Sequence, residues 1–139
     1  MYKILIVDDE PLVAKALGRA MARQGFEVAL AHHAAEALVR VDDFAPDVVI
    51  SDFNMPGMNG LEFLRQVEIR SPRTVRIILS GCADPHSPVI AGAASDRYRF
   101  VRKPWDNKQL AAMLRDILQR RDAGTAAGGA GSSPTGDGA

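Results

Sequence analysis

Four short apolar runs, each closed by a polar residue, constrain this chain more than any other feature. Ile4-Leu5-Ile6-Val7 leads to Asp8 and Asp9, and Asp47-Val48-Val49-Ile50-Ser51 leads to Asp52. Arg76-Ile77-Ile78-Leu79 leads to Ser80, and Tyr98-Arg99-Phe100-Val101-Arg102 to Lys103. Runs this short, bounded by turn residues, read as strands, and the segments between them carry the helical period. Pro11 suits a first helical position, and Val13, Ala16, Leu17, Ala20 and Met21 repeat at helical spacing until Gly25 offers a left-handed stop. Phe26 to Ala31 reads as a second strand and Ala34 to Val41 as a second helix; Pro46 punctuates the crossing to a third strand over 47–51. The turn-rich segment 54–60 opens a helix with Leu61, Leu64 and Val67 on one face. Val75 to Leu79 is a fourth strand, 86–94 a short helix of small residues, and Tyr98 to Val101 a fifth strand. A last helix begins at Asp106, with Gln109 in capping-box position and Leu110, Met113, Leu114, Ile117 and Leu118 as its buried stripe.

Five β-α units predict an α/β fold: a doubly wound, five-stranded parallel sheet flanked by five helices. The first, third and fourth runs are almost wholly apolar, as strands covered on both faces are, whereas the second and fifth mix in polar residues as edge strands do. That pattern fits the flavodoxin-like order 2-1-3-4-5, in which ligands bind beyond the carboxyl ends of the strands where the order reverses. Asp8, Asp9 and Asp52 then lie across the reversal.

Three carboxylates gathered at one edge repel one another unless a cation sits among them. With a hydroxyl at Ser80 and an ammonium at Lys103, the set suits a metal ion and a phosphoryl group. Duller readings exist for each part. Asp8, Asp9 and Glu10 are also good capping residues ahead of Pro11, and Asp52, Ser80 and Lys103 are ordinary loop polars when taken singly. Their joint placement after different strands argues for chemistry.

Composition narrows the field. Lys plus Arg and Asp plus Glu each number 17, so a net charge of zero offers no bulk attraction to DNA. The single cysteine, Cys82, rules out an intramolecular disulfide. His32, His33 and His86 read as surface residues without metal-ligand spacing. No apolar stretch approaches the ~20 residues of a membrane span, and a strand starting close to Met1 leaves no room for a signal peptide, so a cytoplasmic location is expected. Residues 122–139, rich in Gly, Ala and Ser without a large apolar residue, read as a flexible tail or linker stub after a domain spanning 1–121.

The runs ILIVDDE (4–10), SDFNMPGMNG (51–60), LSG (79–81) and FVRKPW (100–105) resemble, in order and separation, the CheY-like receiver domain of two-component response regulators. The resemblance covers residues 1 to about 121. It implies a phosphorylation-activated switch rather than an enzyme, with Asp52 as phosphoacceptor for a sensor histidine kinase or histidine phosphotransfer protein. It further implies Mg2+ held by Asp8, Asp9, Asp52 and the backbone carbonyl of Asn54. Ser80 and Lys103 would contact the phosphoryl group, and Ser80 and Phe100 would act as switch residues. Output would pass through the face of the fourth helix, fifth strand and fifth helix, by self-association or partner binding, with no direct nucleic-acid binding and no membrane. Serine at 80 and phenylalanine at 100 depart from the commoner threonine and tyrosine. The stretch 97–106 is similar to receivers attached to HD-GYP phosphodiesterases or to nitrogen-regulator-type activators.

Three rival readings fit the residues less well. A phosphatase of the haloacid dehalogenase type also uses aspartyl phosphate and magnesium, but carries Asp-x-Asp after its first strand, where this chain has adjacent acids. A nucleotide-binding module would need a Gly-rich loop there, and Asp-Asp-Glu-Pro stands instead. A degenerate receiver acting as a binding scaffold is opposed by the full acid set.

Overall fold

Strand alternation sorts the apolar side chains into two cores, one on each face of a central sheet, as seen in a computed structural model that describes residues 1–80, 99–102 and 104–129, with backbone only at Ser80 and 125–129. Leu5, Val7, Val49 and Ile78 point to one face, and Ile4, Ile6, Val48, Ile50, Ile77 and Leu79 to the other. The elements in chain order are β1 (Lys3–Val7), α1 (Pro11–Arg23), β2 (Glu27–Ala31), α2 (Ala34–Phe44), β3 (Val48–Asp52), α3 (Gly60–Arg70), β4 (Val75–Ser80), β5 (Arg99–Arg102) and α4 (Asn107–Gly129). The strands form one parallel sheet in the order β2-β1-β3-β4-β5. The predicted topology is therefore observed, with the two mixed-polarity strands at the edges. Four helices lie among the described residues; the short helix expected over 86–94 falls outside them.

Helices α2 and α3 cover the first face through Val41, Phe63, Leu64 and Val67, and α1 and α4 cover the second through Leu17, Met21, Leu114 and Leu118. Local signals set their ends. Pro11 opens α1, and Gly25, at φ 97°, turns the chain back into β2. Asp106 Oδ1 accepts from the Gln109 amide at 3.0 Å, so the cap read from sequence forms.

Helix α4 does not stop at 121. It continues to Gly129, into the segment that composition marked as tail. Ala123 carries high helix propensity, and Asp122 is fastened by polar contacts that composition does not reveal. Its Oδ2 accepts from the Tyr2 hydroxyl at 2.9 Å and its Oδ1 from Arg121 Nε at 3.0 Å. Arg121 also pairs with Asp47 at 3.0 Å, and the Lys3 amide donates to the other Asp47 oxygen at 2.9 Å. This network ties α4 to the amino-terminal edge of the sheet, opposite the cluster of acids. The Tyr2 contact holds the Asp122 carboxyl below its ordinary value, with Arg121 adding to the effect.

Candidate functional site

The register of the sheet brings the five strand ends level: Val7 pairs with both Ala31 and Ser51, Asp52 with Leu79, and Ser80 with Arg102. Asp8 therefore leaves β1 beside the last residue of β3. Its amide donates to Ala31 O at 3.1 Å, and its Oδ1 accepts from the Glu10 amide at 2.9 Å, bending the chain toward Pro11. Glu10 takes the cap position of α1, yet its side chain makes no capping bond. The Glu10 carboxylate is therefore not a cap, and Asp8 is the acid that binds backbone at the entry to α1.

Asp8, Asp9 and Asp52 each place a carboxylate oxygen within 4.8 Å of the others. Asp8 and Asp52 are buried, at 2% and 8% exposure, while Asp9 is exposed. Like charges at this spacing, two of them shielded from water, repel strongly, and a hard divalent cation with oxygen ligands answers that repulsion. The donor set fits such an ion.

The loop after β3 is closed by backbone. The Phe53 amide donates to Leu79 O at 3.2 Å and the Gly60 amide to Phe53 O at 2.8 Å. Asn59 caps α3, its Oδ1 accepting from the Glu62 amide at 2.9 Å while its Nδ2 donates to Glu62 Oε1 at 3.0 Å. Asn54 lies in this loop, exposed, two residues past Asp52. Phe100, on β5, is half-buried against the α2–α3 core. Ser80 ends β4 as expected, but its hydroxyl, like Lys103, lies outside the described residues.

One neighbour departs from the surface reading given to the histidines. His32 is half-buried, its Nδ1 3.4 Å from Asp8 O, while its amide donates to Glu36 Oε1 at 2.9 Å. The signal was available: His32 follows β2 as Asp8 follows β1. His33 is exposed and caps α2 through Nδ1, 3.2 Å from the Glu36 amide. Between α1 and the segment that leads into α4, Leu12, Val13, Ala16, Leu17, Pro104, Trp105 and Asn107 line a groove of about 550 Å³.

Comparison with known proteins decides the family. Residues 4–115 match the family model of the response regulator receiver domain. The chain belongs to that family. This receiver is 32% identical over 118 residues to the transcriptional regulatory protein TrcR of Mycobacterium tuberculosis, covering 85% of this chain and 46% of that protein. It is 36% identical over 117 residues to the regulatory protein AtoC of Escherichia coli, covering 84% and 25% respectively. The chain thus spans half or less of the length of these curated relatives. Among solved structures, a response regulator receiver domain protein from Clostridium thermocellum superposes with a TM-score of 0.80 at 27% identity, covering 88% of this chain and 98% of that one. The fold and the family agree with the resemblance read from residues 4–10, 51–60, 79–81 and 100–105, and receivers of this family are phosphorylation-activated modules of two-component signalling. Among the described residues no helix is long and apolar enough to cross a membrane.

Proposed function

We propose that Asp52 is the phosphoacceptor of this receiver and takes its phosphoryl group from a histidine kinase or histidine phosphotransfer protein in the cytoplasm. The observation that carries the reading is the convergence of Asp8, Asp9 and Asp52 within 4.8 Å at the carboxyl edge of the sheet. The Asp52 carboxylate attacks phosphorus, the bond from phosphorus to the donor imidazole breaks, and the acyl phosphate forms on Asp52. Asp8, Asp9, Asp52 and the Asn54 carbonyl would hold Mg2+. When bound, that ion neutralises charge on the transferring phosphoryl oxygens. Asp8 is anchored through the Glu10 amide and places a carboxylate oxygen in the cluster. Ser80 donates a hydrogen bond to the phosphoryl group and Lys103 pairs with it.

The module is a switch more than an enzyme: phosphorylation alters contacts at Ser80 and Lys103 and, through Phe100 on β5, the surface beside it. A phosphoryl group shifts the equilibrium only through such differential contacts. Residues 1–121 form the receiver, and the residues from 122 onward serve as a tail or linker, with Asp122 still fastened to Tyr2. The receiver acts on a partner or on a second copy of itself rather than on DNA, since its charge is balanced. Incubation with acetyl phosphate and Mg2+ should add one phosphoryl mass, and Asp52→Asn should abolish the gain. Equal labelling of that variant would defeat the assignment.

A further inference from the structure

Side chains of β3 alternate between the two cores, and by that alternation Ser51 faces the α2–α3 side, with Val49 and Met55. It is fully buried. A hydroxyl here stands where an apolar side chain would pack, and burial of a hydroxyl is favourable only if it is bonded. Ser51 Oγ donates to the carbonyl of Asp52 at 2.9 Å, and Met55 Sδ lies 3.8 Å away. A hydroxyl has one proton, and the carbonyl is the nearer and stronger acceptor. Gly60 packs against the same carbonyl, where an added Cβ would stand only 2.4 Å from the oxygen. Pairing with β1 ends at Ser51, one residue before Asp52. The peptide plane that links the Asp52 nucleophile to the loop bearing Asn54 is thus contacted both by the Ser51 hydroxyl and by the first residue of α3.

We propose that Ser51 is a positioning residue for phosphoryl transfer, its hydroxyl fixing the 52–53 peptide plane and so the aim of the Asp52 carboxylate at the site shared with Asp8 and Asp9. The inference rests on the reading of Asp52 as phosphoacceptor. Removing the hydroxyl deletes one of the contacts that hold this carbonyl. The plane then has more freedom to turn, and the carboxylate spends less of its time in the in-line direction. Small misplacements of a reacting group are costly in rate.

The test uses the full chain with Ser51 replaced by Ala, Cys or Thr, acetyl phosphate as phosphodonor and saturating Mg2+. Phosphoryl uptake is followed by intact mass, at a temperature where melting curves show every variant folded. Ser51→Ala, and Ser51→Cys with its weak thiol donor, should lower the maximal rate about tenfold while the half-saturating acetyl phosphate concentration stays within about twofold. Ser51→Thr, which keeps the hydroxyl, should restore the rate to within about threefold of the unaltered protein. An Ala variant as fast as the unaltered protein, or a Thr variant as slow as Ala, overturns the role of Ser51 and leaves Asp52 standing. If the unaltered protein takes up no phosphoryl group, or Asp52→Asn takes it up equally, the reading of Asp52 fails and this inference fails with it.

Discussion

Replacing Gly60 by alanine should impair both stability and phosphoryl uptake. The built Cβ would lie 2.4 Å from Asp52 O, 3.0 Å from Phe53 Cα and 3.2 Å from Asp52 C, all of them backbone atoms that cannot swing aside. Restoring an ordinary contact demands that the start of α3 and the end of β3 separate by about 1 Å. Overpacking of this kind costs about 1–3 kcal/mol, partly offset because Ala favours a helix by up to about 1 kcal/mol over Gly. The net loss is about 1–2 kcal/mol, or about 3–8 °C in melting temperature for a chain of this size. A shift of about 1 Å in a reacting group can cost about 100-fold in rate, so uptake from acetyl phosphate should slow by about 10- to 100-fold. Gly57→Ala is the matched control: Gly57 sits at φ 83° with nothing within 4 Å of an added Cβ. It should lose about 1–2 kcal/mol through backbone strain and keep most of its uptake rate. Calorimetry and intact-mass kinetics on both variants separate the two effects. A Gly60→Ala protein that melts lower but is labelled at the normal rate would refute the link between this contact and the aim of Asp52.

Four further outcomes are expected. Asp9→Ala should weaken Mg2+ binding more than Asp8→Ala, because Asp9 is the exposed acid while Asp8 also holds the Glu10 amide; titration followed by Trp105 fluorescence checks this, and equal affinities contradict it. Asp122→Asn should destabilise the fold more at neutral pH than in acid. Its folded carboxyl is held below its ordinary 3.8 by Tyr2 and then Arg121, so the contribution is present above 3.8 and is lost as pH falls through the lower folded value; urea melts at pH 7 and pH 3 would show a constant penalty if this is wrong. Tyr2→Phe combined with Asp122→Asn should cost less than the sum of the two single changes, because both break the same 2.9 Å bond. Beryllofluoride, a phosphoryl mimic, should change amide exchange across 81–105, including β5, and differences confined to residues 1–60 would sink the switch assignment.

Much of this molecule was legible from its residue order, and the unread part has a physical pattern. The strands were legible because burial on both faces leaves an unbroken apolar run, as in β1 and β3, and the sheet order because edge strands tolerate polar residues, as β2 and β5 do. The acids were legible because parallel strands end level, so the residues just past β1 and the last residue of β3 meet whatever lies between them in the chain. What could not be read was fixed by backbone atoms brought close in space. Nothing in the pattern around Ser51 says that its hydroxyl meets the next carbonyl, nor around Gly60 that helix α3 starts against Asp52. Asp122 looked like the start of a tail because its partner, Tyr2, is 120 residues away. His32 lacked metal-ligand spacing, and its place just after β2 was the only hint that it would lie 3.4 Å from the Asp8 carbonyl. Residue types announce which chemical groups the site contains, whereas main-chain carbonyls determine where those groups are held. In this receiver, substitutions at Ser51 or Gly60 should therefore tune phosphoryl transfer while leaving every recognisable motif acid in place.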